Sequence, residues 1–246
     1  MLNLPAIRGV IDRRILANFR VDPDVLAATL PAPFRPQLVN GYGVAGICLI
    51  RLKSVRPRGM PAWLGVGSEN AAHRVAVEWN DGDAVRTGVY IRRRDTNSRF
   101  NALVGGRLFP GVHHHARFAV QETPDELSFD MQSDDGVTAI QVRGYTGDAW
   151  PANSLFPTAD AASQFFAAGS LGYSNARTPN VYQGLELRCH SWTATPLAIE
   201  AISSSYFDNR TIFPDGSIEF DNALLMRSID HEWHSHAELC CSLLKK

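Results

Sequence analysis

The chain has 246 residues, 45% of them hydrophobic and 20% charged, and its formal net charge is −1. That length sustains a large core without staples, and the near-neutral balance excludes a global field favouring nucleic acid or an anionic membrane. The positive charge is almost all arginine, the lysines being Lys53, Lys245 and Lys246 alone, so amine chemistry has few candidates.

In chain order, residues 7–19 mix apolar and basic side chains and begin as a strand. Asp22-Pro23 opens a short helix, with Asp22 as N-cap and Pro23 at the first position, and Pro31 stops it. Asn40-Gly41 signals a turn before the apolar run Val44 to Leu52, a buried strand. Residues 55–67, rich in proline and glycine, read as an ordered loop with a cationic Arg56-Pro57-Arg58-Gly59 tip. Residues 72–79 alternate and turn at Asn80-Asp81-Gly82-Asp83 into a second alternating strand, 84–94. On it Val85, Thr87, Val89 and Ile91 share one face, and Arg86, Gly88, Tyr90, Arg92 and Arg94 the other.

Residues 91–117 hold the densest cationic cluster, a Gly-Gly pair, a Phe-Pro-Gly turn and three consecutive histidines. Asp95 or Thr96 caps a helix with Phe100, Leu103 and Val104 on one side, ending at Gly105-Gly106. In the strand after Phe109-Pro110-Gly111, His113, His115 and Arg117 share one face. Strands 127–131 and 137–145 pair as a hairpin through Ser133-Asp134-Asp135-Gly136, and residues 158–168 form another helix docked by Phe165 and Phe166. Further strands at 185–193 and 199–207 precede a final segment carrying His231, His234 and His236. Roughly eight to eleven short strands with two or three helices make a mainly β (α+β) domain over residues 1–246, a closed or wrapped antiparallel sheet.

Cys48, Cys189, Cys240 and Cys241 form no CxxC pair, so reduced thiols in a cytoplasmic protein are expected. Residues 1–21 lack the apolar core of a signal peptide, and no window approaches about eighteen unbroken apolar residues.

Several segments together resemble the acetoacetate decarboxylase-like superfamily, and within it the YqjF-like family, domain of unknown function 2071. They are residues 55–61, Thr87-Gly88-Val89-Tyr90, Gly106-Arg107-Leu108-Phe109-Pro110, Ser203-Ser204-Ser205-Tyr206-Phe207-Asp208 and Ala223-Leu224-Leu225-Met226-Arg227. The resemblance implies a cone-shaped antiparallel β-barrel whose internal pocket accepts small organic acids or carbonyl compounds. In acetoacetate decarboxylase a lysine beside another cation forms a Schiff base. Its lysine follows a Gly-Arg-Glu-x-x-Gly-Phe-Pro pattern; here Gly106-Arg107-Leu108-Phe109-Pro110 runs on into Gly111-Val112-His113 without one. Schiff-base decarboxylation is therefore not expected.

The expected acid-binding groups are Arg86, Tyr90, Arg92 and Arg107, because arginine forks hold carboxylates and a phenol can donate to a carbonyl oxygen. Alternatively, Arg86, Tyr90 and Arg92 lie on a solvated strand face, and Arg107 pins its turn. Glu78, His113 and His115 are the candidate acid–base groups. No cofactor is expected, and no metal, since His231-Glu232-Trp233-His234 is one residue short of a zinc-binding His-Glu-x-x-His. The glycines form no dinucleotide fingerprint, and Ser203-Ser204-Ser205 lacks a nucleophile elbow. Two functions follow: an enzyme acting on a small carboxylate or carbonyl compound, or a non-catalytic binder on the same fold. Neither nucleic acid nor membrane is an expected partner, and self-association into a homo-oligomer stays open.

Overall fold

The computed structural model describes residues 6–106 and 110–240. One long wall organises it. Strands β1 (Ile7–Val21), β4 (Tyr42–Pro57), β5 (Val66–Asp81) and β6 (Ala84–Thr96) lie side by side, with β13 (Ile218–Cys240) on the far side of β1. Two short strands, β2 (Arg35–Pro36) and β3 (Leu38–Val39), edge β5 and β4. On one side the wall closes through β10 (Leu171–Asn175) and β11 (Val181–Cys189), which bridge β6 back to β13. On the other it continues through β7 (His113–Glu122), β8 (Glu126–Ser133), β9 (Ala139–Thr146) and β12 (Thr195–Ser204), and also returns to β13. The sheet thus closes in a ring, as a wrapped sheet requires. Most pairings are antiparallel, but β7 and β10 both run parallel to β6.

Sharing between two circuits explains the wall's composition. Each face meets a core, so its strands read as near-continuous apolar runs rather than clean alternation. Ile15, Ala17, Ile47, Leu49, Val75 and Val77 face one cluster with Phe129, Phe207 and Phe213; Leu16, Cys48, Leu52 and Ala76 face the other with Phe156 and Phe166. Burying about 25 cal/mol per Å² of apolar surface on both faces makes this wall the main source of stability.

The helices follow their caps. The Asp22 carboxylate accepts from the backbone N–H groups of Asp24 and Val25, with Pro23 opening α1 (Pro23–Ala28). Thr158 caps α3 (Ala159–Ala168), which docks Phe166. The middle helix, α2 (Arg99–Val104), is capped by Ser98 instead, because Asp95 and Thr96 still belong to β6. Of its apolar side, Val104 is buried, while Phe100 and Leu103 are exposed. The expected loop at 55–67 is shorter, since β4 runs to Pro57 and β5 starts at Val66. The Ser133–Gly136 hairpin turn is present, with the Gly136 N–H donating to the Ser133 carbonyl at 3.0 Å.

One ion-pair network surrounds a fully buried arginine. Arg13, fully buried, donates to Glu69 at 2.6 Å and to Glu122 at 3.3 Å. Arg51 binds the same two carboxylates at 2.5 and 3.0 Å, and Arg227 also donates to Glu122. Glu122 ends β7, so this network fastens the outer strands to the wall. Among the described residues no helix is long and apolar enough to cross a membrane, and Cys48, Cys189 and Cys240 are free thiols.

Candidate functional site

The circuit β13–β1–β4–β5–β6–β10–β11 encloses a cavity of about 200 Å³, and each of its seven strands contributes to the lining. The walls are mostly aliphatic and aromatic, with Ile50, Ile91, Leu187, Phe166 and Trp233 among them. Three guanidinium groups interrupt this apolar surface, those of Arg14, Arg74 and Arg94.

Among the described residues none of the three meets a carboxylate. Arg14 donates its Nε–H to Cys48 Sγ at 3.4 Å and stacks on Trp192, and its buried Nη1 has no partner. Arg74, 4% exposed, donates to Asn18 Oδ1 and lies over the Phe166 ring at 4.5 Å, with Nε unpartnered. Arg94 donates to Ser174 Oγ at 3.0 Å. Asp95, the carboxylate in the wall, is taken by Arg93 at 3.0 Å. Desolvation pulls the pKa of Arg74 and of Arg94 down to about 10, still charged at neutral pH.

Strand register places a histidine among these cations. Arg94 pairs with His113 across the parallel β6–β7 contact, and His113 also lines the cavity. Its Nδ1 lies 2.9 Å from the Gly111 carbonyl, which can only accept, so Nδ1–H donates and Nε2 carries the lone pair. Burial, then the Arg94 charge, pushes its pKa down to about 4. A neutral, oriented imidazole here can accept a proton from a C–H or O–H of a bound anion once that anion offsets the neighbouring Arg94 charge. Gly111 is required here: its φ is +84°, and a Cβ would stand 2.9 Å from Ser174 and 3.0 Å from Arg94 Nε.

Of the residues singled out from sequence, His113 reaches this cavity. Tyr90 and Arg92 lie together in a separate, more open groove with Asn175, Arg177 and Tyr182. There the Tyr90 hydroxyl donates to Asn175 Oδ1 at 3.0 Å, and Arg92 reaches the Thr29 carbonyl at 3.4 Å and the Tyr206 ring. Glu78 is ion-paired with Arg35 at 2.6 Å, and Arg86 with Asp81 at 3.3 Å on the surface. His115 binds Asp134 at 2.7 Å. Arg107 lies outside the described residues. Among the described residues no three His, Cys, Asp or Glu side chains converge to hold a metal ion.

Sequence reading missed Arg14, Arg74 and Arg94 as site residues, and each miss has a structural cause. In the β5–β6 ladder His73 pairs with Arg93 and Arg74 with Ile91, so Arg92 is an extra residue, a β-bulge. The bulge turns Arg94 onto the cavity face with Val89 and Ile91, away from Tyr90 and Arg92. Arg74 sits between Ala72 and Ala76 on its face, and such small apolar neighbours are the signal that it is not solvated.

Residues 11–217 match the family model DUF2071, uncharacterized conserved protein. No curated protein sequence matches the chain. Among solved structures, the chain is similar to acetoacetate decarboxylase from Legionella pneumophila, at 12% identity and TM-score 0.58, covering 96% of this chain and 88% of that one. An acetoacetate decarboxylase-like enzyme from Sphingomonas wittichii is similar at 13% identity and TM-score 0.59, covering 96% and 92%. The enduracididine biosynthesis enzyme MppR, complexed with pyruvate, is similar at 12% identity and TM-score 0.58, covering 98% and 92%. At such identities the likeness is one of fold.

Proposed function

The chain belongs to the DUF2071 family, and we propose that it binds a small organic acid in the ring cavity and acts on it as an enzyme. The carboxylate is held by the guanidinium groups of Arg14, Arg74 and Arg94, and the neutral His113 imidazole takes a proton from the bound molecule. The observation carrying this reading is that three cations line one apolar cavity with no carboxylate partner among the described residues. Uncompensated charge in such a wall is costly unless a ligand supplies the counter-charge.

Two further observations shape the chemistry. Among the described residues no lysine lines the cavity, and Lys53 is ion-paired with Asp12 at 2.7 Å elsewhere; the reaction therefore proceeds without a Schiff base. The pyruvate carried by the similarly folded MppR makes 2-keto acids the first ligands to try. We place the acid in the cavity rather than the groove because Arg74 and Arg94 are desolvated in an apolar wall, whereas Arg92 in the groove is exposed to water.

The test is a thermal-shift screen with pyruvate, acetoacetate and larger keto acids, followed by turnover assays on those that bind. A ligand at about a hundred times its dissociation constant adds about 2.7 kcal/mol. The expected shift disappears in an Arg74→Met variant. A silent panel would refute acid binding; binding with no turnover by the protein would leave a binder or sensor in place of an enzyme.

A further inference from the structure

The cavity presents more positive charge than one carboxylate neutralises. A single carboxylate accepts a bidentate fork from one guanidinium and leaves two further cations in an apolar wall. The backbones of Arg14 and Arg94 are also well separated. Arg14 stands on β1 and Arg94 on β6, with β4 and β5 between them. Three strand spacings of about 4.8 Å separate those backbones along the wall. Arg94 is level with His113 and with Ala72, whereas Arg14 is level with Ile50. Aliphatic and aromatic side chains, including Ile50, Val89, Ile91, Phe166 and Leu187, occupy the surface around them.

We infer that the ligand is a small diacid, a dicarboxylate or keto diacid with an apolar stem. One carboxylate sits at Arg14 and Arg74, and the second at Arg94 beside His113. A phosphate ester is the poorer fit, because it gathers both charges on one centre while Arg14 and Arg94 rise from strands three spacings apart. The inference rests on the reading that the cavity holds an organic acid, and it narrows the class of that acid.

Matched pairs of ligands separate the two claims. Calorimetric titration compares glutarate with butyrate, and phenylsuccinate with hydrocinnamate, with phenyl phosphate as the single-centre dianion. Each diacid is expected to bind at least about 10-fold more tightly than its monoacid, the weight of one more charge-assisted contact. In Arg94→Met protein that preference collapses to near unity, because the diacid then meets cations at one end only, and Arg14→Met supplies the same test from the other end of the cavity. Equal affinities within each pair, or a preference for phenyl phosphate over both diacids, would overturn the diacid while leaving acid binding intact. Silence from every ligand would overturn the acid-binding reading and this inference with it.

Discussion

Replacing Arg94 with methionine should stabilise the empty protein while reducing its response to a diacid to that given by the matching monoacid. Arg94 keeps its charge in a wall that offers it one hydroxyl, Ser174 Oγ at 3.0 Å, and no carboxylate. Desolvation lowers its pKa from 12.5 to about 10, which at about 1.4 kcal/mol per pH unit disfavours the charged folded form by about 3 kcal/mol. Losing the bond to Ser174 takes back about 1 kcal/mol. The net gain of about 2 kcal/mol corresponds to a melting temperature higher by roughly 4–8 °C for a chain of this length. Differential scanning calorimetry with and without a saturating diacid measures both terms. A variant that melts lower than wild type, or that keeps the full ligand-induced shift, would show that Arg94 is a structural cation and not a ligand anchor. Stability given up at a binding site is the pattern expected where function, not packing, retains a residue.

Four further outcomes are expected. Glu122→Gln leaves fully buried Arg13 with Glu69 alone, and should lower stability by about 3 kcal/mol, read as a lower urea midpoint at unchanged slope; an unmoved midpoint would contradict the network's role. His73, His113 and His231 are held neutral by burial, with pKa values of about 3, 4 and 4. The unfolded chain takes up protons near pH 6.5 and the folded chain does not, so stability falls as pH drops from about 6.5 towards 4; a flat urea midpoint from pH 7 to 5 would be inconsistent with this. Borohydride reduction in the presence of pyruvate should leave Lys53 unmodified by mass spectrometry, and an adduct there would reopen the Schiff-base route. Arg92→Ala should leave acid affinity within about twofold, and a large loss would move the site to the groove.

Much of the architecture is legible in local chemistry. Asp22-Pro23 and Thr158 announce their helices because side-chain oxygens satisfy the first N–H groups. The Asn80–Asp83 and Ser133–Gly136 turns announce hairpins because their glycines accept φ values of +61° and +70°. Pairing direction has no such local mark: nothing in residues 113–115 records that they run parallel to β6. The site was legible only in part for the same reason. His113 stands out in sequence within a run of three histidines and lines the candidate cavity, and alternation puts Tyr90 and Arg92 on one face, as the groove has them. The bulge at Arg92 depends on how β5 pairs, so alternation alone put Arg94 on the wrong side. Arg14 and Arg74 sit on a wall buried on both faces, where the rule that charged positions face water fails.

The reach of β13 sets when this molecule can become itself. Asn18 on β1 donates no side-chain bond to its neighbours on β13 until Asn222, 204 positions later, is in place. Until that last long strand is laid down, β1 lacks one of its two flanking partners and both circuits stand open. A nascent chain must therefore carry an unpaired, apolar β1 edge until residues 218–233 have been made, exposed to the associations that unpaired strands invite. Pairings so distant in sequence also close slowly. Loss of the last strand would cost the whole cavity, since Trp233 and the seam with β11 go with it.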